Sequence, residues 1–264
     1  CMLTLLAIST QPACDAMQNT SALAAARLLR RELPDATDAG TTNGEFEMDD
    51  WWEQHRDLFT AAWEEWGPRH PQLYDLEAHS ELLAPELLAA VSAAEAAAAA
   101  GTDDELEAAQ TAALALLRET AAPGVWRLPV FTQAFCAMLR EELAHLEASG
   151  VPQRRPNGMN RFGAILDDVG GRSLHYLAQR VLRPLGEALW PHLISRGDLA
   201  EHYGFVVRYK LGEDVALAEH ADASLLTLNA NLGIEGFTGG DLAFRGTRFL
   251  DKLPQPVPAS RVSF

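Results

Sequence analysis

Phe205 to Phe244 reads FVVRYKLGEDVALAEHADASLLTLNANLGIEGFTGGDLAF. Polar and apolar residues alternate over Phe205–Lys210, Ser224–Leu232 and Asp241–Arg245, with Gly-bearing turns between, so the three runs are expected to be strands. In the middle run Leu226, Leu228, Ala230 and Leu232 share one face, while Thr227, Asn229 and Asn231 share the other. Just before it stands His220-Ala221-Asp222. On an extended backbone, side chains two residues apart point the same way, about 6.5 Å apart along the strand. One imidazole and one carboxylate can then converge on a single ion. With a distant histidine they would form the two-histidine, one-carboxylate set that leaves positions open on non-haem iron. The triplet alone also permits a zinc or manganese jelly-roll enzyme. The polar face beside it reads equally as the lining of a cavity or as a solvated surface.

Upstream of Gly204 the apolar period is that of helices. Asp49 and Asp50 are placed to cap a helix with the stripe Trp52, Phe59, Trp63 and Trp66, ended by Gly67-Pro68. Leu82–Thr120 predicts two helices joined at Gly101-Thr102-Asp103-Asp104. A further helix is expected from Thr132, its cap, to Ser149, ended by Gly150; Phe135, Met138, Leu139, Leu143 and Leu146 form its apolar face, and Cys136 reads as a small core residue. Another starts near Ser173 and buries Leu177, Val181, Leu185 and Leu189, with Pro184 kinking or dividing it. Pro34–Gly44 (PDATDAGTTNG) reads as a loop or linker, and Met2–Ser9 as a buried strand or helix start rather than the remnant of a signal peptide. Helices first and strands afterwards predict an α+β chain: an N-terminal helical layer supporting an antiparallel sandwich or jelly roll.

The chain has 264 residues, 48% of them hydrophobic, enough for one large domain or one domain with an extension. No apolar run approaches the roughly 20 residues a membrane span needs. The net charge of −16 lies entirely in residues 1–122, where 22 Asp and Glu face 6 Lys and Arg; residues 123–264 carry 15 of each. We therefore expect an acidic, mainly helical region over 1–122 and a catalytic-type domain over 123–264. The acidic half would repel a phosphate backbone, which argues against nucleic acid as a partner. Three cysteines without a CxxC pair fit neither a disulfide framework nor a zinc site, and lean toward a reducing compartment such as the cytoplasm.

The segment Phe205–Phe244 resembles the catalytic domain of the procollagen lysyl hydroxylases. The likeness rests on the strand FVVRY, the HxD triplet followed by Ala-Ser, the alternation TLN and the Gly-Gly before a strand. His70–Leu88 (HPQLYDLEAHSELLAPELL), Arg127–Glu142 (RLPVFTQAFCAMLREE) and Arg155–Gly163 (RPNGMNRFG) are similar to a nearer family, the 2-oxoglutarate and iron-dependent oxygenase domain-containing proteins of type 2. Together the likeness spans roughly residues 70 to 250. It implies a double-stranded β-helix and an Fe(II)- and 2-oxoglutarate-dependent dioxygenase that hydroxylates a second substrate, a peptidyl side chain being the class that the likeness to lysyl hydroxylases suggests. His220 and Asp222 then fall on the first two metal ligands. Tyr209 and Asn229 fall beside the 2-oxoglutarate, with Thr227 on the same face, and L-ascorbate is the implied reductant. The remaining histidines are expected to be structural or superficial. The pattern departs from the family in one respect: no histidine follows His220, and the chain ends at Phe264 in the Pro-rich run PQPVPASRVSF. This leads us to expect a C-terminally truncated jelly roll, a fragment that binds Fe(II) poorly and does not turn over 2-oxoglutarate. The alternative is a non-catalytic oxygenase-like fold acting as a binding or scaffold module.

Overall fold

Thr132 accepts the N–H of Phe135 at 3.3 Å and opens a helix, α5 (Gln133–Ser149), which Gly150 closes in the left-handed region at φ 75°. That local logic holds along much of the helical half in the computed structural model. The model describes residues 2–6, 21–29, 42–120, 122, 124–169, 175–190, 194, 202–222, 224–233, 239–244 and 260–262. Helices α3 (Pro85–Ala98) and α4 (Asp103–Ala115) meet at the expected break, and Thr102 caps α4 by accepting from Glu105 N–H at 3.3 Å. Pro184 divides the next helix: a π-helical turn, Leu177–Leu182, precedes α6 (Arg183–Leu189). Leu177, Val181 and Leu185 are buried as the stripe requires, with Leu189 packed at the edge of the core.

Helix α2 differs from expectation. It spans Thr42–Trp66, so Asp49 and Asp50 lie inside it rather than at its cap, and Thr42–Gly44 belong to it rather than to a linker. None of Thr42–Asp50 is a helix breaker except Gly44, and propensity alone permits the earlier start. Residues 34–41 of the expected linker lie outside the described residues. Trp52, Phe59 and Trp63 are buried, and Gly67 at φ 83° closes the helix. A short helix not read from the sequence, α1 (Ala22–Leu29), packs Ala26 against Trp52, Phe59 and Ala62.

The main core joins α3, α4, α5, the π turn and α6 to one face of a sheet through Val206, Ala230 and Leu232, and it is continuous across residue 122. That sheet has the order β4-β5-β1-β6, with β1 (Met2–Leu6), β4 (Gly163–Ile165), β5 (Tyr203–Val207) and β6 (Leu228–Asn231). Met2–Leu6 is thus a strand, and a central one: it runs antiparallel to both neighbours, with Thr4 opposite Phe205 on one side and Asn229 on the other. The pairs β2 (Arg118–Glu119)/β3 (Trp126–Arg127) and β7 (Leu242–Phe244)/β8 (Ser260–Val262) complete the described strands. Ser260–Val262 was expected in a Pro-rich loop; it pairs instead. The strands are shorter than the alternation suggested, since β6 starts at Leu228 and β5 stops at Val207. The architecture is mixed helix and sheet, with helices packed on one sheet face.

Candidate metal centre

Beyond β5 the chain makes a tight turn held by backbone contacts. Tyr209 bridges to Asp214, Lys210 N–H donates to Asp214 O at 3.0 Å, and Gly212 takes φ 86°. The Asp214 carboxylate reaches a second loop, accepting the N–H groups of Arg161 (2.7 Å) and Phe162 (2.9 Å) through Oδ2. Residues 215–222 follow without regular structure. His220 and Asp222 therefore lie in a segment between strands rather than within one. The bonds that fix them run from side chain to neighbouring backbone or side chain, not across a ladder.

Those bonds still bring the pair together. His220 Nδ1 lies 2.9 Å from Ala218 O, and Nε2 lies 3.1 Å from Asp222 Oδ1. The other carboxylate oxygen, Oδ2, accepts the Thr227 hydroxyl at 2.7 Å, and Thr227 is itself 2.7 Å from the Ser224 hydroxyl. Both side chains are about one-third exposed, 34% and 33%, and so open to a small solute. A carbonyl oxygen only accepts, so Nδ1 carries a proton. Nε2 then faces a carboxylate oxygen at hydrogen-bond distance. Ligand atoms bound at about 2.1 Å and at a right angle lie about 3.0 Å apart, so the 3.1 Å separation fits one ion as well as it fits a hydrogen bond. Fixing one ring nitrogen through backbone while a hydroxyl steadies the carboxylate is also the kind of outer support that metal ligands need. Among the described residues no third His, Cys, Asp or Glu joins them.

Thr227 was expected on the co-substrate side; its proton goes to Asp222. Asn229 lies in β6 between Leu228, at the edge of the core, and the buried Ala230. The expected alternation thus holds from Leu228 onward, whereas Ser224–Leu226 bend and Leu225 is exposed. Tyr209 packs beside Ile165, Phe205 and Val207. Burial first, and the Asp214 carboxylate second, push its phenol up, against the amide of Asn160. Asn160, Asp214 and Ser224 were not picked out as site residues by the sequence, although Asn160 lay within RPNGMNRFG and Ser224 in the Ala-Ser that follows the triplet.

The other histidines have local partners. His70 meets Glu141 at 3.0 Å, His79 meets Glu81 at 3.1 Å, His55 Nδ1 lies 2.7 Å from Trp51 O, and His145 Nε2 lies 3.0 Å from Gly67 O. His175 and His202 face each other with ring centres 5.6 Å apart, and burial, aided by His175, pushes His202 down. His192 lies outside the described residues.

A family model described as the OGFOD2-like domain matches residues 63–195, about half of the chain. The chain is 44% identical over 124 residues to the 2-oxoglutarate and iron-dependent oxygenase domain-containing protein 2 of Homo sapiens, covering 46% of this chain and 35% of that protein. It is 39% identical over 183 residues to the Mus musculus protein of that name, covering 68% of this chain and 49% of that one. It is also 35% identical over 146 residues to procollagen-lysine,2-oxoglutarate 5-dioxygenase 1 of Homo sapiens, covering 51% of this chain and 19% of the relative. The chain spans half or less of the length of these relatives. No solved structure matches.

Proposed function

The chain belongs to the OGFOD2-like family, and from that premise we propose that it is part of an Fe(II)- and 2-oxoglutarate-dependent dioxygenase that hydroxylates a second substrate, a peptidyl side chain being the class suggested by the procollagen-lysine relative. His220 Nε2 and Asp222 Oδ1 hold the metal. Iron with 2-oxoglutarate, kept reduced by ascorbate, supplies the oxygen chemistry; the protein's part is to bind, orient and exclude. Ala218 O fixes the His220 ring through Nδ1, leaving Nε2 for the ion. Thr227, steadied by Ser224, holds Asp222 Oδ2 and leaves Oδ1 turned toward the imidazole. Tyr209 and Asn229 orient the co-substrate. The jelly roll of this class belongs to the same reading.

The observation that carries it is the His220–Asp222 pair, whose Nε2 and Oδ1 converge to 3.1 Å on a partly exposed loop. The test is calorimetric titration of the whole protein, of which this chain is proposed to be part, with Mn(II), a redox-inert stand-in for Fe(II), with and without 2-oxoglutarate. Binding should be lost in His220→Ala and in Asp222→Ala, and 2-oxoglutarate should tighten it in the unaltered protein. Metal binding that survives both substitutions would remove the assignment, and no binding at all would favour the scaffold alternative.

A further inference from the structure

The segment RPNGMNRFG has no part in the metal pair, yet its fold is closely specified. Asn157 Oδ1 accepts the N–H groups of Met159 and Asn160, both at 2.8 Å, and Asn157 Nδ2 donates to Asn160 Oδ1 at 3.1 Å. That last bond fixes which way the Asn160 amide points. Asn160 is only 1% exposed, and its Nδ2 has no acceptor in hydrogen-bond geometry. A buried amide donor without an acceptor is costly and calls for a reason. The Asn160 amide opposes the effect of burial on the Tyr209 phenol, although no hydrogen bond between the two meets ordinary geometry. The two residues sit on loops tied together by backbone contacts: Asp214 Oδ2 on the N–H groups of Arg161 and Phe162, and Arg208 N–H on Phe162 O at 2.8 Å.

We propose that Asn160 is a positioning residue for the co-substrate: its Nδ2 donates to the Tyr209 phenol oxygen and so turns the single phenol proton toward a carboxylate of 2-oxoglutarate. A phenol has one proton and two lone pairs. With an amide N–H on a lone pair, the proton must point away from Asn160, and an anion there completes the chain of bonds. The inference rests on the reading of Tyr209 as a co-substrate residue.

The chain has four tyrosines, so protein labelled with 3-fluorotyrosine gives four 19F signals, and Tyr209→Phe identifies the one required. Zn(II) serves as a diamagnetic metal. In the unaltered protein 2-oxoglutarate should move the Tyr209 signal, and should also shift and protect the side-chain amide protons of Asn160, a measurement that needs no substitution. Asn160→Asp keeps the size and the acceptor for Asn157 but replaces the donor with an acceptor. It should move the Tyr209 signal before any ligand is added and weaken 2-oxoglutarate about tenfold, with Zn(II) affinity unchanged. If 2-oxoglutarate moves the Tyr209 signal with equal affinity in both proteins, this proposal fails and the role of Tyr209 stands. If it binds without moving that signal, or does not bind, the role of Tyr209 fails and the proposal with it.

Discussion

In the helical half, Glu142 is 4% exposed and accepts from Arg69 N–H at 3.1 Å, His70 N–H at 2.8 Å and the Tyr74 hydroxyl at 3.0 Å, so that both oxygens are occupied by donors of the same domain. In the strand half, Asp222 is one-third exposed; Thr227 occupies one oxygen, and the other faces an imidazole across 3.1 Å. The first carboxylate is closed on all sides and ties a loop to α5. The second is fixed on one side only and keeps an oxygen for an ion. The contrast extends to their surroundings, because Glu142 lies against helices that share one continuous core, whereas the described residues among 208–222 and 224–227 are held by turns and side-chain bonds. Sites that must admit a ligand are drawn from the less densely tied parts of a fold.

The largest effect should come where the two halves meet in the sheet. Gly163 in β4 adopts φ 154°, and a Cβ there would stand 1.8 Å from Val206 O. Neither partner can yield, since both are backbone paired in the sheet. Gly163→Ala should cost at least about 4 kcal/mol, seen as loss of soluble protein or of the unfolding transition. Next comes Glu142→Gln. The amide presents one acceptor oxygen where two are used, and turns an N–H toward backbone donors. We expect a loss of about 2 to 3 kcal/mol in denaturant unfolding, with metal affinity of the folded fraction unchanged. A metal effect as large as the stability effect would erase the distinction between the two carboxylates.

What the sequence disclosed divides along the same line. Thr132, Gly150, Thr102 and Pro184 were legible because a cap, a stop or a kink is decided within a few residues. The buried Leu177, Val181 and Leu185 followed from spacing alone. The place of β1 was not legible, because pairing with residues some 200 positions away leaves no trace in Met2–Leu6 beyond its being apolar. Glu142 looks like any helical glutamate beside Glu141; only the approach of the Arg69–Tyr74 turn makes it a buried anchor. His220 and Asp222 were picked out by their i,i+2 spacing, and their side chains do converge, in a segment without regular structure where loop contacts steady them.

Thr227→Val sharpens the comparison from the strand side. The substitution keeps the shape, removes the donor to Asp222 Oδ2, and leaves that oxygen to solvent rather than buried. Stability should change by less than about 1 kcal/mol, because Asp222 is exposed enough to take a water instead. Mn(II) affinity should fall by about tenfold, the lower end of what outer supports of metal ligands contribute. Unchanged affinity would mean that Thr227 does not position Asp222, and would reopen the expectation that it faces the co-substrate.

An effect of comparable size belongs to a carboxyl that fits neither pattern. Asp167 precedes Asp168, whose carboxylate holds Arg154 in a two-pronged pair at 2.8 and 2.6 Å. Burial first and the Asp168 charge second raise the Asp167 carboxyl to about 6, against the pull of Arg56 and Arg154. The sign follows from which state keeps the proton. Below about pH 4 the group is protonated folded or unfolded, and contributes nothing. As pH rises from about 4 to 6 the unfolded chain sheds a proton that the folded protein retains, so stability falls through that window and the full cost is present above pH 6. After allowance for solvent screening that cost is about 1 to 2 kcal/mol. Asp167→Asn should therefore unfold with the unaltered protein at pH 4 and above it by a few degrees at pH 7, the gap opening between the two. An equal gap at both pH values would mean that the gain comes from packing, and that the Asp167 charge is solvated like that of Asp222.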